Sequence, residues 1–429
     1  MFKAGAAQEI ITPPVGTLLA GYAHRRESKG IYDELTVTAI ALSDEKTKAL
    51  LISATLLNVS NDIVKKLKEE INEKFDIQNV IICATHTHSG PIMNTTAGWG
   101  KTDDDYVEKI FIPKTLKAAE KALGEMKEAL LGIGMTESDA GINRRFVKED
   151  GSLCLGENPW GIFDSRMHVV AFKGTDGTPI CNIIHYGAHG TVIGGYLESC
   201  YISRDWSGVM EDRLSDFSGA ITAFFNGAEG DVAPRMLYNS KDRVAQMKEL
   251  GSRAGFDAIR AYRAIKEFKE VDVKAYTEEI KLPFEELPDL EMAKKKLSAM
   301  GDVMGERELE KQRWVDVIKA HEEEKKTHLS FTQNIISVGE IAFVPFPFEH
   351  FTEVALRLDY FSPYGYNLTL SNANGSNGYL PCRTEICRGG YEIWSFKNVG
   401  AYALADNTDD VIIAENLKLL RRMKEQKEN

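Results

Sequence analysis

NVIICATHTHSGP, residues 79–91, begins as a strand and ends as a polar loop. Its first part, NVIICAT (79–85), is a short apolar run of the kind found in buried strands, and its second part carries His86 and His88. Upstream, TVTAIALS (36–43) and ALLISATLL (49–57) read as strands, while NDIVKKLKEEINEKF (61–75) sets Ile63, Val64, Leu67, Ile71 and Phe75 at helical spacing. Strand, helix, strand and then a polar loop is the order in which open α/β sheets place their chemistry, beyond the carboxyl ends of the strands. The expected fold class is α/β: a mixed, twisted sheet flanked by helices, with a site at strand ends.

The same pattern continues along the chain. A helix is expected over 104–125, kinked or divided by Pro113, which has no N–H for the ladder. MHVVAFKG (167–174) and PICNIIHYGAHG (179–190) repeat the strand that delivers a His-bearing loop, and ITAFFNGAEGDVAP (221–234) is a strand ending in a Gly-rich turn. NIISVGEIAFVPFPFEHF (334–351) predicts a hairpin with a polar end. Residues 288–328 combine dense alternating charge with Leu, Met, Trp and Ile at helical spacing, which predicts a peripheral arm of two antiparallel helices. A charged helix over 408–428 follows near the end. With no repeat of solenoid period and no linker-like tract, residues 1–429 are expected to form one domain with a helical excursion at about 288–328.

Composition narrows the class of partner. Hydrophobic residues at 43% and charged residues at 27% are the balance of a globular protein, and a net charge of −12 works against binding nucleic acid or anionic membranes. A small-molecule substrate is the expected partner. The opening MFKAGAAQEIITPP lacks the apolar stretch of a secretory leader, and no apolar run of ~18 residues suggests a membrane span. Cys83, Cys154, Cys181, Cys200, Cys382 and Cys387 form no C-x-x-C pair and are expected to be reduced. The expected location is cytoplasmic, without stable membrane insertion.

Several polar residues sit at predicted strand ends. In ATHTHSGP, alternation along an extended chain would send His86 and His88 to one side, where two imidazoles can share a zinc ion; the bland alternative is a hydrogen-bonded pair. HYGAHGT offers His185 and His189, and because PICNII favours a strand, only His189 is expected at the site, with His185 in the core. VPFPFEHFTE offers Glu349 or His350 as a ligand. GINRRF supplies Arg144 and Arg145, and SNANGSNGYLPCRTEICRGGYE supplies Tyr379, Arg383, Arg388 and Tyr391, donor types that stabilise an oxyanion or, for the tyrosines, simply pack.

AGAAQEIITPPVG, LAGYA, ATHTHSGP, INR, HGT, NGAEGDVAP, PFEHFTE and GY…GGYE occur in this order, and over nearly the whole chain they resemble the neutral, non-lysosomal ceramidases. The resemblance implies a zinc amidase whose metal is held by His86, His189, Glu349 and Tyr379. It also implies that His88 lies beside the catalytic water and the substrate carbonyl, and that Arg144 and Tyr391 stabilise the oxyanion.

The sequence departs from the family in three places. Ala233 stands where the G-D-V-S-P block has a serine implicated in ceramide hydrolysis. Ending at Asn429, the chain is expected to do without the family's immunoglobulin-like C-terminal domain and without a secretion signal. Finally, GYAHRRESKG carries Arg25 and Arg26 where a lipid-facing surface would be apolar. The expected activity is hydrolysis of an amide in a small, soluble substrate by metal-activated water, the substrate being anionic if the loop with Arg25 and Arg26 reaches the site, with ceramide disfavoured. An esterase or lactonase using the same site, or a decayed metal- or sugar-binding protein, are the alternatives.

Overall fold

The computed structural model describes residues 1–98, 100–194, 200–237 and 241–426. Among these residues an eight-stranded sheet is built from two units of one topology. In the first unit Lys3–Ile10, Thr36–Ser43 and Lys48–Ala54 run antiparallel in turn. The helix Asn61–Phe75 then crosses over to Asn79–Ala84, parallel to Lys48–Ala54. In the second unit Lys127–Glu137, Arg166–Gly174 and Pro179–Tyr186 repeat the antiparallel run, and the helix Asp205–Ser218 crosses to Ile221–Asn226, parallel to Pro179–Tyr186. The units join where Lys3 and Ala4 pair with Glu128 and Lys127. A parallel neighbour needs a crossover of a dozen residues or more, so each helix-forming stretch dictates one parallel pair.

Local signals set the helix ends. Ser60 accepts from the Ile63 amide at 3.4 Å to start Asn61–Phe75, Asp76 ends it in the left-handed conformation, and Val64, Leu67 and Ile71 are its buried stripe. Pro113 acts as expected on its helix by forcing a division. A π-helical turn, Val107–Phe111, precedes Ile112–Gly124, and its wider ring passes the ladder over the missing N–H.

Alternation sends Val37, Ala39, Leu50, Ile52, Val80 and Ile82 outward, into one core with residues of the helices Asn61–Phe75 and Ile112–Gly124. The intervening Ile40, Leu42, Leu51, Ile81 and Cys83 point inward and meet Ile336, Val338, Phe343, Leu368 and Leu370. These belong to a second sheet of Val273–Pro283, His328–Val338, Ile341–Pro345 and Tyr366–Leu370. The helices Thr352–Phe361 and Thr408–Glu425 cover its other face through Val354, Leu358, Ile412 and Leu417. The expected mixed sheet flanked by helices is present, with a second sheet between the two helical layers.

Asn79–Ala84 and Ile221–Asn226 stand at opposite ends of the strand order, yet the sheet curls until these ends touch. Ser53 Oγ donates to the Phe224 carbonyl at 2.6 Å, and Asn226 Nδ2 to the Thr85 and Ala188 carbonyls at 3.1 Å. The arm forms as Leu290–Met300 and Glu306–Ala320, packed through Ala293, Trp314 and Val317. No helix among the described residues is long and apolar enough to cross a membrane. All six cysteines are free.

His168 and His185 face each other across the Arg166–Gly174 and Pro179–Tyr186 strands, with ring centroids 5.9 Å apart. Burial, then the neighbouring His185 and Arg166, push His168 from 6.5 down to about 3, and burial lowers His185 as well. A folded-state pKa below the unfolded one means that the unfolded chain binds more protons under pH 6.5. The contribution to stability is whole above 6.5 and is lost as pH falls toward 3. Denaturant unfolding at a series of pH values should show stability declining through the histidine window, between ~6.5 and ~5, before most carboxylates titrate. His168→Gln should flatten that decline; an unchanged slope in the variant rules the pair out as its source.

Candidate active site

Three parallel strand pairs, two from the first sheet and one from the second, point their carboxyl ends at one place. The loop after Asn79–Ala84 brings His86 and His88, and the loop after Pro179–Tyr186 brings His189. These two loops are stitched by a bridge between Thr87 and Gly190, with the His88 amide donating to the Gly190 carbonyl at 3.0 Å. Beyond Ile341–Pro345 come Glu349 and, in register beside it on a short parallel pair, Tyr379.

His86 does not reach the site by strand alternation. The strand ends at Ala84 and His86 adopts φ 65°, a conformation that costs a non-glycine residue energy and must be held from outside. Its amide donates to the Leu56 carbonyl at 2.9 Å, and its Nδ1 lies 2.9 Å from the Leu57 carbonyl. The ring then stands edge-on to His88 and His189, at centroid distances of 4.9 and 4.5 Å. Gly21, at φ 100°, backs His88: a Cβ there would sit 2.3 Å from its Nδ1.

The polar atoms in this space are arranged for a cation. His86 Nδ1 faces the Leu57 carbonyl, and His189 Nδ1 faces those of Glu229 and Val232 at 2.9 and 3.1 Å. Carbonyl partners put the proton of each neutral ring on Nδ1 and leave Nε2 as a lone pair. Both lone pairs converge on Glu349 Oε2, from 3.5 Å for His86 and 3.3 Å for His189. His189 Nε2 and Glu349 Oε2 are buried and have no hydrogen-bond partner. Tetrahedral ligands at ~2.0–2.1 Å from zinc stand ~3.3–3.4 Å from one another, so the spacing fits a shared ion.

His88 Nε2 is also close, 3.3 Å from His86 Nε2, and His86, His88 and His189 have ligand atoms within 4.8 Å of one another. His88 differs from the other two rings in one respect: its Nδ1 is buried without a partner. A ligating histidine nearly always donates its second N–H to a carbonyl or carboxylate.

The charges follow from this geometry. Burial alone would raise the Glu349 carboxyl, but His86 and His189 hold it well below the usual carboxylate range. Burial works to lower His86, yet Glu229 and Glu349 hold the ring up at about 9. His189 is pushed down to about 3 by burial, Arg144 and His86. Two rings facing one carboxylate thus divide sharply, because one proton satisfies the group and a second would repel it; a metal ion competes for the same place.

Arg144 Nη2 donates to the Tyr379 hydroxyl at 2.9 Å and its Nε to Glu392 at 2.8 Å. Glu392 also accepts from Arg145 Nη1 at 2.7 Å, and Arg145 Nε reaches Glu385 at 2.8 Å. Burial pushes the Tyr379 phenol well up, and the Arg144 guanidinium works against it. Tyr391 stands with its ring 5.9 Å from that of Tyr379. A cavity of about 700 Å³ opens from this cluster, and His86, His88, Glu349, Tyr379 and Tyr391 all line it.

The structure therefore gathers His86, His88, His189, Glu349, Tyr379, Arg144 and Tyr391. It leaves others out. His185 Nε2 lies 2.8 Å from the Thr369 carbonyl, and His350 is held between Thr369 and Ser371 at 3.0 and 2.8 Å. Arg388 pairs with Glu385, and Arg383 is exposed near Asp410. The expectation of an anionic substrate drew on Arg25 and Arg26, and neither is among the described lining of the cavity: Arg25 is an exposed partner of Glu27, while Arg26 is buried and donates from Nη1 to the Gly194 carbonyl and from Nη2 to the Ala20 and His88 carbonyls. Ala233 pairs with Ile142, outside the described lining of the cavity.

Sequence reasoning missed Glu229, Asn372 and Glu392. Asn372 Nδ2 donates to Glu229 Oε1 at 2.6 Å and lies 3.1 Å from His86 Nδ1, which fixes the floor of the site. Glu229 falls within the quoted NGAEGDVAP block and Glu392 directly follows Tyr391, but one-residue signals of this kind do not stand out from other surface-like acids.

The N-terminal domain of the neutral/alkaline non-lysosomal ceramidases matches residues 2–252. No curated protein sequence matches the chain. Neutral ceramidase from Pseudomonas aeruginosa has a similar fold, with a TM-score of 0.75 at 16% identity over 99% of this chain and 75% of that one. A ceramidase complexed with C2 is similar to the same extent, again at a TM-score of 0.75 and 16% identity. At that identity the likeness speaks for the fold, and the match over 2–252 speaks for the family. This chain belongs to the neutral/alkaline non-lysosomal ceramidase family, whose chemistry implies a metal-dependent hydrolase of amide bonds.

Proposed function

We propose that this protein is a zinc-dependent hydrolase that cleaves an amide bond in a small-molecule substrate held in the 700 Å³ cavity. The observation that carries the reading is the convergence of His86 Nε2, His189 Nε2 and Glu349 Oε2, the last two buried without a partner. His86, His189, Glu349 and Tyr379 are the residues that would hold zinc. Bound zinc supplies Lewis acidity and lowers the pKa of water toward neutrality.

The residues divide the remaining work. His88 is kept neutral by burial and by His86 and His189, so its ring can take a proton from the attacking water at Nε2. The C–N bond breaks as the same proton passes to the departing amine nitrogen. Arg144 uses Nε and Nη2 in its bonds to Glu392 and Tyr379, leaving Nη1, with the Tyr391 hydroxyl, to donate to the developing oxyanion. Glu392 keeps two buried guanidinium groups paired and so holds Arg144 in place. The substrate is a small amide for which ceramide is a poor stand-in; Ala233, which follows the Val232 carbonyl beneath His189, lacks the hydroxyl of the family's serine.

Metal analysis of protein purified without chelator should find about one zinc per chain, and His189→Ala should lose it. His88→Ala should keep its zinc while turnover falls by roughly 10²–10⁴, the range for loss of a general acid or base. Parallel loss of metal and activity in that variant would make His88 a ligand and remove Tyr379 from the set. Glu392→Ala should lower the unfolding free energy by ~3–5 kcal/mol, because it strands Arg144 and Arg145 without their shared carboxylate. Efficient release of sphingosine by the zinc-loaded protein would refute the substrate reading.

A further inference from the structure

The arm is peripheral to the sheets but not to the cavity. Glu306, Leu309, Gln312, Asp316 and Lys319 recur every three or four residues along the helix Glu306–Ala320 and line the cavity as one stripe. The helix is locked in this orientation from its other side. Trp314 and Val317 pack with Ala293 of the neighbouring helix, and Arg313 binds the Lys397 carbonyl and, at 3.3 Å, Asn398. Glu306, Gln312 and Lys319 remain exposed while Leu309 and Asp316 are half-buried, so the stripe faces a cavity that is open to water on one side.

The remaining wall is chemically different. Phe284 and Tyr402, stacked with centroids 5.2 Å apart, line it together with Trp394, Phe396 and Leu404. A molecule in the cavity meets both aromatic surface and the arm, with the histidine cluster in the same space. The arm and the segment after it contribute three carboxylates, Glu306, Asp316 and Glu323, against two ammonium groups, Lys319 and Lys326. At the reactive end Glu349 would be spent on zinc and Arg144 bonds to Tyr379, so the carboxylates left to repel an anion are those of the arm. Asp316 is half-buried, with its Oδ1 bonded to Gln312 at 2.9 Å.

We propose that the arm is the element that selects the substrate, and that Glu306 and Asp316 make the site accept uncharged or cationic amides and reject anionic ones. The proposal rests on the hydrolase reading for its reaction but not for its binding preference. Like charges brought together in a partly enclosed space repel, and because Glu306 is exposed the effect is screened over a Debye length of ~8 Å at physiological salt.

The test uses three N-octanoyl amides that differ only in the amine: ethylenediamine for the cation, ethanolamine for the neutral form, and taurine for the anion, its sulfonate being a weak ligand for zinc. With zinc-loaded protein at low salt, kcat/KM for the neutral and cationic amides should exceed that for the anionic one by roughly tenfold or more. The gap should shrink with added salt and in Glu306→Gln/Asp316→Asn, with zinc content unchanged. Should the double variant fail to fold, Glu306→Gln alone, at an exposed position, must narrow the gap. Calorimetric binding of the same amides separates the two claims. Binding in the predicted order without turnover would sink the hydrolase reading and leave the selectivity standing. Equal or preferred use of the anionic amide, equal affinities, or a gap indifferent to the variants would overturn the selectivity itself.

Discussion

His86 Nε2 and His189 Nε2 both aim at Glu349 Oε2, across 3.5 and 3.3 Å, and when both rings are neutral no donor hydrogen lies between them. Such an arrangement is unfavourable unless a cation lies among the atoms, and it persists only where the surroundings leave the groups no other orientation. Much of the local structure serves that purpose. The Leu57, Glu229 and Val232 carbonyls fix the ring tautomers, and His86 is held at a positive φ by the Leu56 and Leu57 carbonyls.

Curling of the large sheet makes the convergence possible. Each of its two units ends in a parallel pair, and in a flat sheet those pairs would lie at opposite edges, too far apart to share an ion. Buried Asn226 closes the gap: it bonds to the Thr85 carbonyl from the first unit and to Ala188 N–H and C=O from the second, while its own carbonyl accepts from Ser371 of the loop beyond the second sheet. One residue thus joins three strand ends, two through its side-chain amide and the third through its backbone carbonyl. The repeated topology explains why both units contribute to a single centre, since equivalent loops arrive at the same end of the sheet.

Around this centre lie two further shells. The Arg144, Arg145, Glu385 and Glu392 network pairs buried charges completely, which is the condition for keeping guanidinium groups out of water, and it sets Arg144 against Tyr379. Outside it, the arm and the aromatic wall shape the cavity, so the histidine cluster and the walls around it come from different parts of the chain.

The sequence by itself determined the local features: the helix at 61–75, the division at Pro113, the strands that deliver His86, His189 and Glu349, and the exclusion of His185 by its place within a strand. These depend on periodicity and on backbone chemistry a few residues wide. Motif order added the family and drew attention to Tyr379, Arg144 and Tyr391. Only the tertiary structure decided what depends on distant segments meeting. The burial of Arg26 against three carbonyls, the bridging of two arginines by Glu392, and the turning of the arm's charged stripe into the cavity each join residues far apart in the chain. His86 and His88 meet for a reason the sequence did not contain, through a left-handed residue held by another strand end rather than through alternation along one. A charge written in sequence is identical whether it will face solvent, a carbonyl or a ligand; its partner is chosen by the fold.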